Sequence, residues 1–449
     1  MPQPLIIKAL STIPDLLALH ANNPERYPHL LSSNKTAITG DDNHNIARFD
    51  ILFACPQQTI TSNAKNFLEQ LDAEWNKNSQ PVESSGLPFT GGWFLYLGYE
   101  LAGQIESALV LPESEDGLPV AFATRFPAAI IIDAHKGEAF IICESRFADC
   151  ARQIETDLSA PCDASLYTQE FDIADMQEDD ENAYLQQHTK LHQYIVDGDV
   201  FQVNLSRRWQ SRLKTPVTHA SLYHQLSKSN PGPFNALVTI GDKAIISSSP
   251  ERLIEVRDGC IQTRPIAGTR PRSADKASDD NLSQELLAHP KERAEHIMLI
   301  DLERNDLGRV CEPGSIEVNE LMVLESYQHV HHIVSNVRGT ARKGMTPGQL
   351  IAAVFPGGTI TGCPKIRCME ILAELEQVGR GAYTGSLGYL NHDGSMDLNI
   401  LIRTITRNGD SLQFRAGGGI VVDSDPKNEL HETRAKAKGL IHALQTGNR

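Results

Sequence analysis

SLQFRAGGGIVVDSDPKNELHETRAKAKGLIHAL, residues 411–444, is the stretch on which the reading of this chain turns. A strand-like run comes first and ends in three glycines, Gly417, Gly418 and Gly419. Asp425-Pro426 then marks a helix start: a capping carboxylate, followed by proline at the first helical position, where its missing N–H costs nothing. On that helix Glu429, Glu432 and Lys436 fall at i, i+3 and i+7, one stripe, while Leu430, Ala437, Leu440 and Leu444 form a core-facing set. A second pair, Glu292 and Glu295 in HPKERAEHIMLIDL, has the same spacing on a helix expected to open at Pro290. Four carboxylates brought together would repel unless a cation lay between them. A hard, oxygen-seeking ion such as Mg²⁺ would resolve that. A single Glu-x-x-Glu is more often a solvated helix face, so the surroundings must decide.

Working outward, residues 183–197 read as an amphipathic helix stopped by Gly198. VFQVNLSRRW then alternates, with Phe201, Val203 and Leu205 on one face and Gln202, Asn204 and Ser206 on the other. FNALVTI, AIISSS, RLIEVRDG and CIQTRPI read as further strands, with a hairpin turn at Asp258-Gly259. A loop is expected through RNDLGRVCEPGS, and strands recur to the end of the glycine run. Helices and antiparallel hairpins interleave without a βαβ rhythm, which predicts an α+β fold. Residues 1–155 read as an N-terminal region packing with the core, 156–182 as an acidic connector and 183–449 as the catalytic region.

The 449 residues carry a formal charge of −16, which argues against nucleic acid or an anionic membrane as the main partner. No apolar run is long enough for a membrane span, and the first residues read as no signal peptide. The eight cysteines lack metal spacing, so free thiols in the cytoplasm are expected.

Three glycine-bearing turns could cradle an anion: PIAGTR (265–270), FPGGTITGCPK (355–365) and RAGGGIVVDS (415–424). None matches a P-loop or a dinucleotide fingerprint. With Arg403, Lys436 and the His331-His332 pair in the same final stretch, they suit a substrate bearing more than one carboxylate. Glu251, in SSSPERL, is a candidate general acid.

From about residue 180 to 445 the chain strongly resembles the chorismate-utilising enzymes, through FQVNLSRR, SSSPERL, TRPIAGTRPR, KERAEHIMLIDLERNDLGRV, HHIVS, GGTITGCPKIR, GSLGYL, LIRT, AGGGIVVDSDP and ETRAKA. HLLSS, RFDI and FTGGWFLYLGYEL match more loosely, in the manner of the amino-transferring members. The resemblance implies a large antiparallel β-sandwich flanked by helices. It implies Mg²⁺ held by Glu295 and Glu432, with Glu292 and Glu429 in support. It implies chorismate bound by Gly268, Thr269, Tyr383, Arg403, Gly417, Gly418, Gly419 and Lys436. Glu251 matches the acid for departure of the C4 hydroxyl, and His332 a histidine needed for turnover. A glutamine amidotransferase partner supplying ammonia is also implied.

Gln202 stands where isochorismate- and salicylate-forming relatives carry a lysine base, and a neutral amide cannot activate water. Ala267 stands where many aminodeoxychorismate synthases carry a nucleophilic lysine and anthranilate synthases carry alanine. QVNLS, PGGTITG and AGGGI look instead like aminodeoxychorismate synthases. The tryptophan pocket of anthranilate synthases is altered: Ser32 replaces a glutamate beside Ser33, and Asn230, Pro231 and Phe234 lie in NPGPFN rather than NPSPYM. The expectation is a transferase of the folate and 4-aminobenzoate route that makes 4-amino-4-deoxychorismate. The alternatives are an anthranilate synthase component I and a non-catalytic binding subunit.

Overall fold

The computed structural model describes residues 4–33, 48–62, 66–81, 85–161, 163–273, 275–327 and 330–445. Their strands form two large antiparallel sheets. The first runs Leu5–Ala9, Glu138–Glu144, Ala128–Asp133, Phe49–Ala54, His29–Ser32, Phe234–Ile240, Lys243–Ser249, Thr404–Asn408, Ser411–Ile420, Gln202–Arg212 and Gly362–Cys363. The second runs Ile266–Pro271, Val330–Thr340, Cys260–Thr263, Arg252–Arg257, Met396–Asn399, Ser386–Asn391, Gly92–Leu97, Ala121–Phe126 and Thr59–Ser62. The expected α+β fold, a β-sandwich flanked by helices, is borne out.

Why the strands are so apolar follows from the layering. Along Phe49–Ala54, Ile51 and Phe53 point between the sheets, while Leu52 and Ala54 point outward under helices. A strand covered on both faces loses the alternation of a half-wet one and reads as a continuous apolar run. The inner layer is rich in aromatic rings: Phe53, Phe89, Phe94, Tyr96, Phe122 and Phe126. Helices Ala148–Ser159, His219–Ser229 and Pro426–Gln445 cover the outer face of the first sheet. Helices Phe67–Asn78, Pro290–Gly308 and Pro347–Val354 cover that of the second.

Strands from residues 1–155 lie in both sheets, interleaved with strands of the C-terminal part. Within 156–182, Gln177–Glu178 pairs with Gln210 and Trp209. The helix opening at Pro290 runs to Gly308, through the first five residues of the loop expected from Arg304, and Glu303, Asp306 and Leu307 are buried on it. Phe201 lies outside its strand and is 65% exposed, so the face expected for it belongs to Val203 and Leu205 alone. Asp258 and Gly259 both adopt positive φ, as a tight hairpin turn demands. Cys162 lies outside the described residues; the other seven cysteines are unbridged. No helix among the described residues is long and apolar enough to cross a membrane.

The topology puts two sheet ends together. Gln202–Arg212 and Ser411–Ile420 lie at one end of the first sheet, and Ile266–Pro271 and Val330–Thr340 at one end of the second. The chain crosses between sheets at residues 250–251 and again at 400–403. Glu251 and Arg403 sit in those crossings.

Candidate active site

The three glycines form the floor. Ser206 pairs with Gly417, Leu205 with Gly418 and Asn204 with Gly419. A methyl group on Gly418 would stand 3.2 Å from Glu429 Oε2 and 3.6 Å from Glu432 Oε1, so both glutamates of the last helix lie directly over this residue. A methyl on Gly417 would meet the Leu205 carbonyl at 2.6 Å and Tyr383 Oη at 2.8 Å. The helix is aimed here by Asp425, whose Oδ1 accepts the N–H groups of Lys427 and Asn428 at 3.1 and 2.9 Å. Lys436, one turn on, donates to Glu432 Oε1 at 2.7 Å and to the Gly417 carbonyl at 3.0 Å.

The opposite wall is the helix Pro290–Gly308. Gln202 ties it to the floor: its Nε2 lies against Gly419 and donates to Glu295 Oε1 at 3.0 Å. Glu292 lies against Gly268, where a Cβ would stand 2.9 Å from its Oε2, and receives Arg270 at 3.2 Å. Burial first, then the neighbouring Glu292 charge, pushes the Glu295 carboxyl above its ordinary range. Burial, then Glu432, does the same to Glu429 against an opposing hydrogen bond from Ser424. Lys291 and Lys436 lie within electrostatic reach of both Glu295 and Glu429, so the two walls face a common space.

Among the described residues, no three His, Cys, Asp or Glu side chains are gathered closely enough to hold a metal ion as they stand. The donor set nevertheless suits a hard cation: two carboxylates on each wall, one of each pair raised by burial and by its like-charged neighbour. Glu295 and Glu432 are presently hydrogen-bonded to Gln202 and Lys436.

Glu251 is 5% exposed, and burial pushes its carboxyl up to about 7. The Thr359 hydroxyl, donating at 2.7 Å, and the Lys436 charge oppose that rise. His332 is pulled down to about 4 by burial, so it is neutral near pH 7. Its Nδ1 lies 3.2 Å from the Gly268 carbonyl and 3.1 Å from Thr269 Oγ1. A carbonyl only accepts, so Nδ1 carries the proton and Nε2 keeps its lone pair. His331 points the other way along the strand, to Asp279 and Ser326, and is no part of the cleft. Arg403, at φ +54°, forms no ion pair among the described residues and lies within electrostatic reach of His332 and Tyr383. Ala267, buried in the bulged strand beside Gly268, offers no nucleophile.

A separate cavity is lined by Leu31, Ser32, Ser33, Phe234, Asn235 and Tyr389 among others. Ser33 and Phe234 are where an effector pocket was expected. Asn230 and Pro231 are not in its lining; Asn230 instead ends the helix His219–Ser229 and donates to Ser248 Oγ at 2.7 Å. Sequence reasoning also passed over Arg270, Lys291 and Thr359. Thr359 lies in a quoted glycine loop, yet its hydrogen bond to a residue 108 positions away leaves no local signal.

Residues 20–442 match the family described as chorismate binding enzyme. The chain belongs to that family. It is 36% identical over 445 residues to "Aminodeoxychorismate synthase component 1" of Klebsiella aerogenes, covering 94% of this chain and 96% of the relative. It is 43% identical over 371 residues to "Anthranilate synthase component I-like protein" of Synechocystis, covering 80% of this chain and 74% of that one. The crystal structure of anthranilate synthase component I from Streptococcus pneumoniae superposes with a TM-score of 0.79 at 30% identity, over 91% of this chain and 95% of that one. Relatives of both names share the family scaffold, so membership fixes the scaffold and not the product.

Proposed function

We propose that this protein aminates chorismate at C4, giving 4-amino-4-deoxychorismate and water. The observation that carries the reading is Glu251: a carboxyl raised to about 7 in the crossing between sheets, in the same cleft as the paired glutamates and Arg403, which has no ion pair among the described residues. Arg403 and Lys436 supply charge for the substrate carboxylates, with the Thr269 hydroxyl and the backbone of Gly268, Gly417, Gly418 and Gly419 shaping the cradle. Glu251, protonated near neutrality, gives its proton to the departing C4 hydroxyl, which leaves as water. Neutral His332 presents Nε2 as an acceptor beside the reacting ring. Glu295 and Glu432, supported by Glu292 and Glu429, would hold Mg²⁺, whose charge would neutralise and orient a substrate carboxylate.

Ammonia must come from solution or from a partner, for which a glutamine amidotransferase is the fitting class. Aminodeoxychorismate is favoured over anthranilate by QVNLS, PGGTITG and AGGGI, and by near-complete two-way coverage of the Klebsiella relative. Ala267 favours the second reading, anthranilate formation, because it excludes a lysine adduct. Product analysis decides. Purified protein receives chorismate, Mg²⁺ and ammonium, with and without an aminodeoxychorismate lyase. 4-Aminobenzoate appearing only with the lyase is expected; anthranilate fluorescence without it contradicts the proposal.

A further inference from the structure

Two carboxylates from the N-terminal part of the chain end beneath Tyr383. Glu100 follows the strand Gly92–Leu97, and Asp116 lies in the loop that leads to Ala121–Phe126. Glu100 Oε1 accepts from the Arg380 N–H at 2.6 Å, and both its oxygens accept from Gly381 N–H, at 3.2 and 3.1 Å. Asp116 Oδ2 accepts from the Ala382 N–H at 3.1 Å, and its Oδ1 from Leu118 N–H at 2.9 Å. Asp116 is 3% exposed, and neither carboxylate forms an ion pair among the described residues. Three successive main-chain N–H groups therefore take up two acidic side chains, and the next residue is Tyr383. Such a run of N–H groups is an anion-binding concavity, here filled by the protein itself.

The same turn carries Arg380, whose guanidinium lies 5.6 Å from the Tyr383 ring centroid and 5.0 Å from that of Tyr99. Arg380 is held by Glu376 at 2.8 and 2.9 Å and by the Asn204 carbonyl at 2.6 Å. Glu376 in turn receives Ser206 and Arg415, which flank the glycine floor on its two strands. Tyr383 thus has its ring against a buried arginine and its hydroxyl toward Gly417.

We propose that Glu100 and Asp116 are positioning residues for substrate binding: they clamp the 380–382 turn so that Tyr383 Oη is held over Gly417. The inference rests on the reading of Tyr383 as a substrate contact. It ties a cleft built from C-terminal residues to a short helical turn and a loop far earlier in the chain.

The test compares Glu100→Gln, Asp116→Asn, Tyr383→Phe and the double variant Glu100→Gln/Tyr383→Phe. Thermal unfolding and chorismate consumption with Mg²⁺ and ammonium are followed, a readout independent of which product forms. Glu100→Gln should raise KM for chorismate about tenfold with little change in kcat, the worth of one hydrogen bond to a charged group. Glu100→Asp should recover part of that loss. The double variant should bind no worse than Tyr383→Phe alone. If Glu100→Gln fails to fold, Asp116→Asn carries the same comparison. Losses that simply add, or a lower melting temperature with KM unchanged, overturn the clamp. A silent Glu100→Gln beside an impaired Tyr383→Phe overturns the clamp alone. If Tyr383→Phe is also silent, the substrate role of Tyr383 falls with it.

Discussion

Glu251 and His332 show how burial tunes single groups in opposite directions. Desolvation disfavours whichever form is charged, so it raises the carboxyl to about 7 and lowers the imidazole to about 4. Near neutrality one group can give a proton and the other can only accept one. The pH dependence follows from the sign of each shift. Glu251 keeps its proton up to about pH 7, so turnover should be lost as pH rises through that value. His332 is already neutral well below pH 6, so it should add no limb of its own between pH 6 and 9. Glu251→Gln should lower kcat by roughly 10²–10⁴ while leaving chorismate binding in place, the usual contribution of a positioned acid. A pH–rate profile unchanged by that substitution would remove Glu251 from its role. The sequence offered the carboxyl as a candidate but not its tuning, because its burial, and the opposing effects of Thr359 and Lys436, arise only through the fold.

At the scale of elements, the site is a glycine-floored strand end between two helices. Helix starts were legible: Asp425-Pro426 and Pro290 are local chemistry, and both helices begin there. The end of the first helix was not, since its last turn is fixed by the ion pair of Asp306 with Lys365, 59 residues away. The individual glycines are predicted to differ. Gly417→Ala places a methyl 2.6 Å from a backbone carbonyl that cannot retreat without parting the strands. It should cost about 1–3 kcal/mol in urea unfolding and most of the turnover. Gly418→Ala meets only the ends of two flexible glutamates, at 3.2 and 3.6 Å. It should unfold like the parent while turnover falls, because the methyl occupies the space between the walls. Equal destabilisation by both would contradict this placement of the glutamates.

Across the whole molecule, the sequence pattern yielded the fold class, but not the way the N-terminal and C-terminal strands are joined. Period-2 runs identify strands without saying which sheet receives them. Only the register shows His29–Ser32 beside Phe234–Ile240 and Gly92–Leu97 beside Ser386–Asn391. The same holds for the cavity beside them: Ser33 and Phe234 share its lining across sheet strands, while Asn230 lies at a helix end and it and Pro231 are outside that lining. What the long-range topology achieves is to carry Glu292 and Glu295 to one side of a cleft and Glu429 and Glu432 to the other. We propose that this two-walled site needs a divalent ion to bind a dianionic substrate, and calorimetric titration of chorismate reads that need. With Mg²⁺ present the protein should bind chorismate, and with a chelator, or in Glu432→Gln with Mg²⁺, affinity should fall by at least roughly tenfold, about 1.4 kcal/mol. Equal binding with Mg²⁺ and with chelator would contradict the account.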